Sequence, residues 1–169
     1  LLTRAIAAVS ARFDRECNRT LERTVGAMQE FPAADTEIVA QCYPIETVTK
    51  LELKATEVEG WVEQTGIDCL VRRGCVISLS VPLSFVPEVS SIGTQIARVT
   101  YTGGYVLPGT TPSPGQTALP ADLESAAVEQ VAVWHQQKDK LGLFRHWPSS
   151  GTYLVLSQLP LLPQVAAMI

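Results

Sequence analysis

The sequence is poor in charge: Asp, Glu, Lys and Arg make up 18% of its 169 residues, against 46% apolar. Such a chain is too apolar to be disordered and low in charge for a freely soluble monomer, so part of its apolar surface is expected to face partner subunits. A basic excess is missing as well. The net charge of -4 argues against a protein whose work is to hold nucleic acid, because that rests on clustered Lys and Arg. A weakly acidic surface lets DNA slide past instead. No apolar run approaches the roughly 20 residues that span a bilayer, and no basic segment followed by an apolar stretch marks a secretory signal. The reading is of an intracellular protein, or of part of a particle assembled inside a cell, with no membrane partner. An opening residue other than Met leaves room for a segment upstream of Leu1.

Cysteine is sparse and irregularly spaced, at Cys17, Cys42, Cys69 and Cys75, which excludes a disulfide scaffold and suggests reduced, mostly buried thiols. Asn18-Arg19-Thr20 fits a glycosylation acceptor, a match without force when no secretory route is visible. Residues for catalysis are equally thin. His135 falls on a predicted helix beside Lys138 and Asp139, as on an ordinary solvated face, and neither it nor His146 has a positioned partner. Cys69 and Cys75 could face each other across a hairpin, but zinc pairs are closer in sequence and need a second pair of ligands. There is no nucleophile elbow, phosphate-cradling loop or dinucleotide fingerprint. Gly103-Gly104 is followed by Pro and Thr rather than by a helix. No catalytic residue, metal ligand or cofactor is therefore assigned. An enzyme of a class without a visible motif is the alternative, since catalytic groups are often far apart in sequence.

What is present is a pattern of structural elements. Leu2, Ile6, Val9, Phe13 and Cys17 recur three or four apart, the spacing of one helical face, and predict a helix over residues 1–17. From about Leu21 to Tyr105 short β-branched and aromatic runs alternate with Gly, Pro and Asp, which predicts strands. Among them are Thr47–Leu53, Gln95–Thr102, and a hairpin of Ile67–Val71 and Cys75–Leu79 around Arg72-Arg73-Gly74. Two arginines at such a tip are more often solvated than bound to phosphate. The Gly- and Pro-rich stretch 103–119 reads as a long exposed loop. Pro120 suits the first position of a second helix, 120–140, with Asp122 and Glu124 in its first turn and an apolar stripe of Leu123, Ala127, Val131 and Trp134. The tail, 152–169, is apolar almost throughout and must dock somewhere, on its own core or on another chain.

The chain is long enough for one core and short for two, so the expectation is a single domain, 1–169. Its class is α+β, with the two long helices burying Leu2, Ile6, Val9 and Phe13 against Leu123, Ala127, Val131 and Trp134, and a β-rich middle projecting from them.

Several segments in succession resemble the head-tail connector (adaptor) family of tailed bacteriophages. The opening Leu1–Leu21 is similar to the family's early helix, Tyr43-Pro44-Ile45-Glu46-Thr47-Val48 to the start of a strand, and Ile67–Ile77 to its hairpin. Val99-Thr100-Tyr101-Thr102-Gly103-Gly104-Tyr105 resembles its strand ending in Tyr-x-x-Gly-Tyr, and Leu119-Pro120-Ala121-Asp122-Leu123 with the following helix is the most telling match. The Gly/Pro loop is longer than the family pattern. The resemblance implies a non-catalytic virion protein of the neck, assembled in the host cytoplasm as a homo-oligomeric ring, commonly a dodecamer. Such a ring binds the portal on one side and a stopper or tail-completion protein on the other, and genomic DNA passes through its lumen without specific binding. It also favours the tail, through Leu159, Leu161, Leu162, Val165 and Ile169, as an apolar anchor in a groove of the portal or a neighbouring subunit. Docking on its own subunit is the competing reading.

Overall fold

The computed structural model describes residues 2–80, 95–136, 145–146, 153–154 and 161–168. The chain forms two compact units, one of Leu1–Cys17 with Leu119–Ile169 and one of Asn18–Ala118. The architecture is α+β, with helices near both ends and antiparallel sheets in the middle.

The helical unit holds α1 (Leu2–Glu16), α2 (Ala121–Gln136) and α3 (Pro163–Met168), with α2 packed against both of the others. Two short strands, β10 (Arg145–His146) and β11 (Tyr153–Leu154), pair antiparallel. Helix α1 stops where Asn18 turns left-handed, at φ 50°, a conformation Asn tolerates better than most residues. Helix α2 opens on Pro120, whose carbonyl accepts from Glu124 N at 3.1 Å, and Asp122 and Glu124 meet the positive end of the helix dipole. Residues 137–140 of the expected second helix lie outside the described residues.

The buried faces differ from those expected. On α1, Val9 and Phe13 are buried, whereas Leu2 and Ile6 are 51% and 49% exposed; the periodic row is right, but only its C-terminal half is covered. On α2 the buried row is Leu123, Ala126 and Gln130, so the face is rotated from the expected stripe, and Ala127, Val131 and Trp134 stand half-buried at its margin. The physical reason is that α2 is apolar on several sides, with Val128 widening the expected stripe and Ala126 and Val133 outside it, so periodicity selects its inner face poorly. The decisive contact is polar: Gln130 Oε1 accepts from Leu162 N at 2.9 Å at the start of α3.

The β unit contains a four-stranded antiparallel sheet in the order β1 (Thr24–Pro32), β7 (Ile96–Gly103), β3 (Ile45–Lys54), β4 (Val62–Glu63). A three-stranded sheet in the order β2 (Glu37–Val39), β6 (Val76–Leu79), β5 (Cys69–Arg72) belongs to the same unit. Strand alternation dictates the core: Ala97, Val99 and Tyr101 turn inward from β7, while Ile96, Arg98 and Thr100 turn outward. They join Phe31, Leu51, Leu53, Ile38, Ile77 and Leu79 in one apolar cluster. Ala97 lies between Phe31 and Leu53 in the ladder, so a small residue sits between two large ones. Tyr101 is 1% exposed, and its hydroxyl accepts from Gln41 N and Cys42 N at 3.0 and 3.1 Å while donating to Gln29 Oε1 at 3.1 Å. Burial pushes its pKa up, with the two backbone donors opposing.

The β5–β6 hairpin has the expected place, and its turn needs two left-handed residues, Arg73 at φ 52° and Gly74 at φ 69°. Cys69 pairs with Leu79 and Cys75 closes the turn, so the two cysteines are not cross-strand partners. The exposed loop begins later than expected. Gly103, Gly104 and Val106 are buried, and β8 (Tyr105–Val106) pairs in parallel with β9 (Thr117–Ala118), leaving Leu107–Gly115 as the outward stretch. Glycine is required here. A side chain on Gly103 would overlap the Cys42 carbonyl oxygen, and one on Gly104, at φ 101°, would sit 2.6 Å from the Glu22 carbonyl oxygen.

Candidate assembly surfaces

The outward face of the four-stranded sheet carries a compact set of charges. Registry sets Glu30, Arg98, Glu52 and Glu63 in one cross-strand row. Glu52 is 5% exposed and accepts from Lys50 Nζ at 2.7 Å and from Arg98 Nη2 and Nε at 2.7 and 2.9 Å. The Lys50 ammonium foremost, then the Arg98 guanidinium, holds this carboxyl below the usual carboxylate range, against the opposing effect of burial. Trp61 covers the site, its ring centroid 4.2 Å from the Arg98 guanidinium and 5.8 Å from Lys54 Nζ. A carboxylate so stabilised in its charged form is a poor general base. The cluster ties β3 to β7 and, through Lys50 Nζ 3.9 Å from Glu63 Oε2, to β4.

A second set ties the chain where it enters the β unit. The Arg19 guanidinium lies 4.0 Å from the Tyr43 ring centroid and 5.3 Å from that of Tyr105, and Arg23 makes a two-pronged pair with Glu46 at 2.7 and 2.9 Å. Beside it, Glu46–Leu51 of β3 and Glu63–Val71 border an open groove of about 530 Å³ with mixed polar and apolar walls. Burial, with a smaller push from Asp68, raises the pKa of Cys69 at its edge, so this thiol is a weak nucleophile. His135 is half-buried on α2, and the side chain of His146 lies outside the described residues. Among the described residues no group of His, Cys, Asp and Glu is arranged to hold a metal ion, and no helix is long and apolar enough to cross a membrane.

The expected anchor residues divide. Val165 is fully buried within the chain, so it has no surface free for an external groove, which corrects the anchor reading at that position. Leu161 and Leu162 are half-buried, and Leu159 and Ile169 lie outside the described residues. Among the described residues, the large apolar groups that face outward include Leu2, Ile6 and Val128 on the helices, and Val25, Met28, Val39, Val58, Leu70 and Val71 in the β unit. Val58, 97% exposed, carried no periodic signal and was not anticipated; only its setting in Glu57-Val58-Glu59-Gly60 hinted at a turn.

No family model matches the sequence, and no curated protein matches it. Among solved structures, the chain is similar to one described as the neck of an empty GTA particle computed with C6 symmetry. The TM-score is 0.53 and the identity 17%, over 90% of this chain and 70% of that one. The chain thus shares its fold with a chain of that structure.

Proposed function

We propose that this chain is a structural subunit of the neck of a tailed phage or phage-like particle, a connector that forms a ring beneath the portal and lets DNA pass. The observation that carries the reading is a shared fold over nine-tenths of the chain with a neck protein, reached independently of the family motifs in the sequence. The neighbour's six-fold symmetry suits rings whose subunit number is a multiple of six, the expected dodecamer among them. The exposed apolar residues of both units are what an assembly subunit needs. The low charge and negative balance suit a lumen that does not grip phosphates. Portal above, stopper or tail-completion protein below, and a virion location complete the proposal, with no catalytic role.

The test is genetic. Particles assembled without this chain should contain packaged heads that carry no tails, and supplying the purified protein should restore joining, seen by electron microscopy. Normal tailed particles in its absence would refute the connector role.

A further inference from the structure

The β unit carries two exposed tips of opposite character. After Lys54 the chain makes a turn in which Gly60 N donates to Thr56 O and Glu59 N to Thr56 Oγ1, both at 3.2 Å. This turn presents Val58 between Glu57 and Glu59, both exposed. The hairpin tip offers Arg72 and Arg73, exposed, next to Leu70 and Val71, which are 56% and 41% exposed.

The two tips lie at opposite ends of the same strand. The hairpin turn is tied to the start of β3, where Ile45 N donates to Gly74 O at 2.7 Å, and the acidic turn follows its end. The strand has 10 residues, which at ~3.3 Å each separates the tips by about 30 Å. They cannot meet within one β unit. Their present partners are weak competitors, since Lys54–Glu57 and Arg72–Glu37 are exposed pairs, a kind that contributes little.

We infer that the acidic Glu57-Val58-Glu59 turn of one subunit docks on the basic Arg72-Arg73 hairpin tip, with Leu70 and Val71, of the next copy. The occupant is a second copy because one chain carries both halves of a complementary apolar and charged contact and cannot bring them together itself. Two different patches on one subunit make a head-to-tail contact, the kind that closes rings. The inference rests on the neck reading and names the surface that would join its subunits.

The test uses two full-length variants, Glu57→Lys with Glu59→Lys, and Arg72→Glu with Arg73→Glu, mixed with portal and counted by native mass spectrometry. Each alone should place like charges at every junction and weaken ring assembly at least about tenfold. An equal mixture should recover rings, because alternating copies restore opposite charges at every junction. Wild-type assembly should also weaken as salt rises. Thermal unfolding should be unchanged in both variants. Should either fold poorly, Glu59→Lys and Arg73→Glu form a milder set, as neither residue joins an ion pair among the described residues. Full rings from either variant alone, or no recovery in the mixture, would overturn the inference while wild-type rings leave the neck reading standing. A wild-type chain that forms no ring on portal overturns both.

Discussion

Replacing Tyr101 by Phe removes one oxygen from the centre of the β unit and leaves the ring in place. That oxygen accepts from Gln41 N and Cys42 N and donates to Gln29. Gln41 N keeps a second acceptor, Gln29 Oε1 at 3.0 Å, so its loss is partial. Among the described residues Cys42 N has no such substitute, and its residue is 6% exposed. Leaving one buried donor without a partner costs about 1–3 kcal/mol, and the retained ring keeps nearly all the apolar burial. For a unit of about 100 residues, each kcal/mol lowers the melting temperature by roughly 4–8 °C. The Tyr101→Phe variant should therefore melt about 4–24 °C lower, read from the β-sheet circular dichroism signal. Tyr101→Ala, which also empties the ring's space, should lose more, about 3–5 kcal/mol. An unchanged melting temperature in the Phe variant would refute the assignment of this hydroxyl as the tie between β7 and the 41–42 backbone.

Three further outcomes are expected. Phe13→Ala should destabilise the helical unit by about 3–5 kcal/mol, while Leu2→Ala, at a half-exposed site, should change the isolated chain by less than about 0.5 kcal/mol; equal losses would contradict the observed face of α1. Gln130→Leu should speed amide hydrogen exchange at Leu162 and along α3, because the side-chain acceptor is lost and the apolar substitute cannot replace it; unaltered exchange would deny Gln130 its part in holding α3. The Glu52 carboxyl is held below its ordinary value near 4.5, so its stabilising contribution is full above that pH and is lost as pH falls through the lower folded value. Acid unfolding should be less steep in Glu52→Gln, and an identical slope would contradict the charge cluster.

How much of this was legible in the sequence depended on how local the deciding interactions are. The period of α1, the proline at the start of α2, the alternation in β3 and the Gly74 turn are set by residues close in sequence, and each of these elements stands about where the pattern put it. The inner face of α2 was misread because its choice depends on Leu162, 32 residues away, which recruits a glutamine that hydropathy counts as outward. The exposed loop begins later than the local pattern indicates, because Gly103-Gly104 has the composition of a loop. They are glycine because the carbonyls of Cys42 and Glu22 leave no room for a side chain, a long-range contact no local pattern reveals. The Glu52–Arg98–Trp61 cluster needs the pairing of β3 with β7 and the turn to β4 before its members meet. The outward Val58 has no periodic partner at all.

The central claim is that the chain joins a particle as a neck subunit. A reconstruction of purified particles carrying a small tag on this chain, computed with and without imposed symmetry, tests it most directly. Tag density is expected in a closed ring at the neck, beneath the portal, with a copy number divisible by six. Tag density elsewhere in the particle, or particles that contain none of the chain, would contradict it.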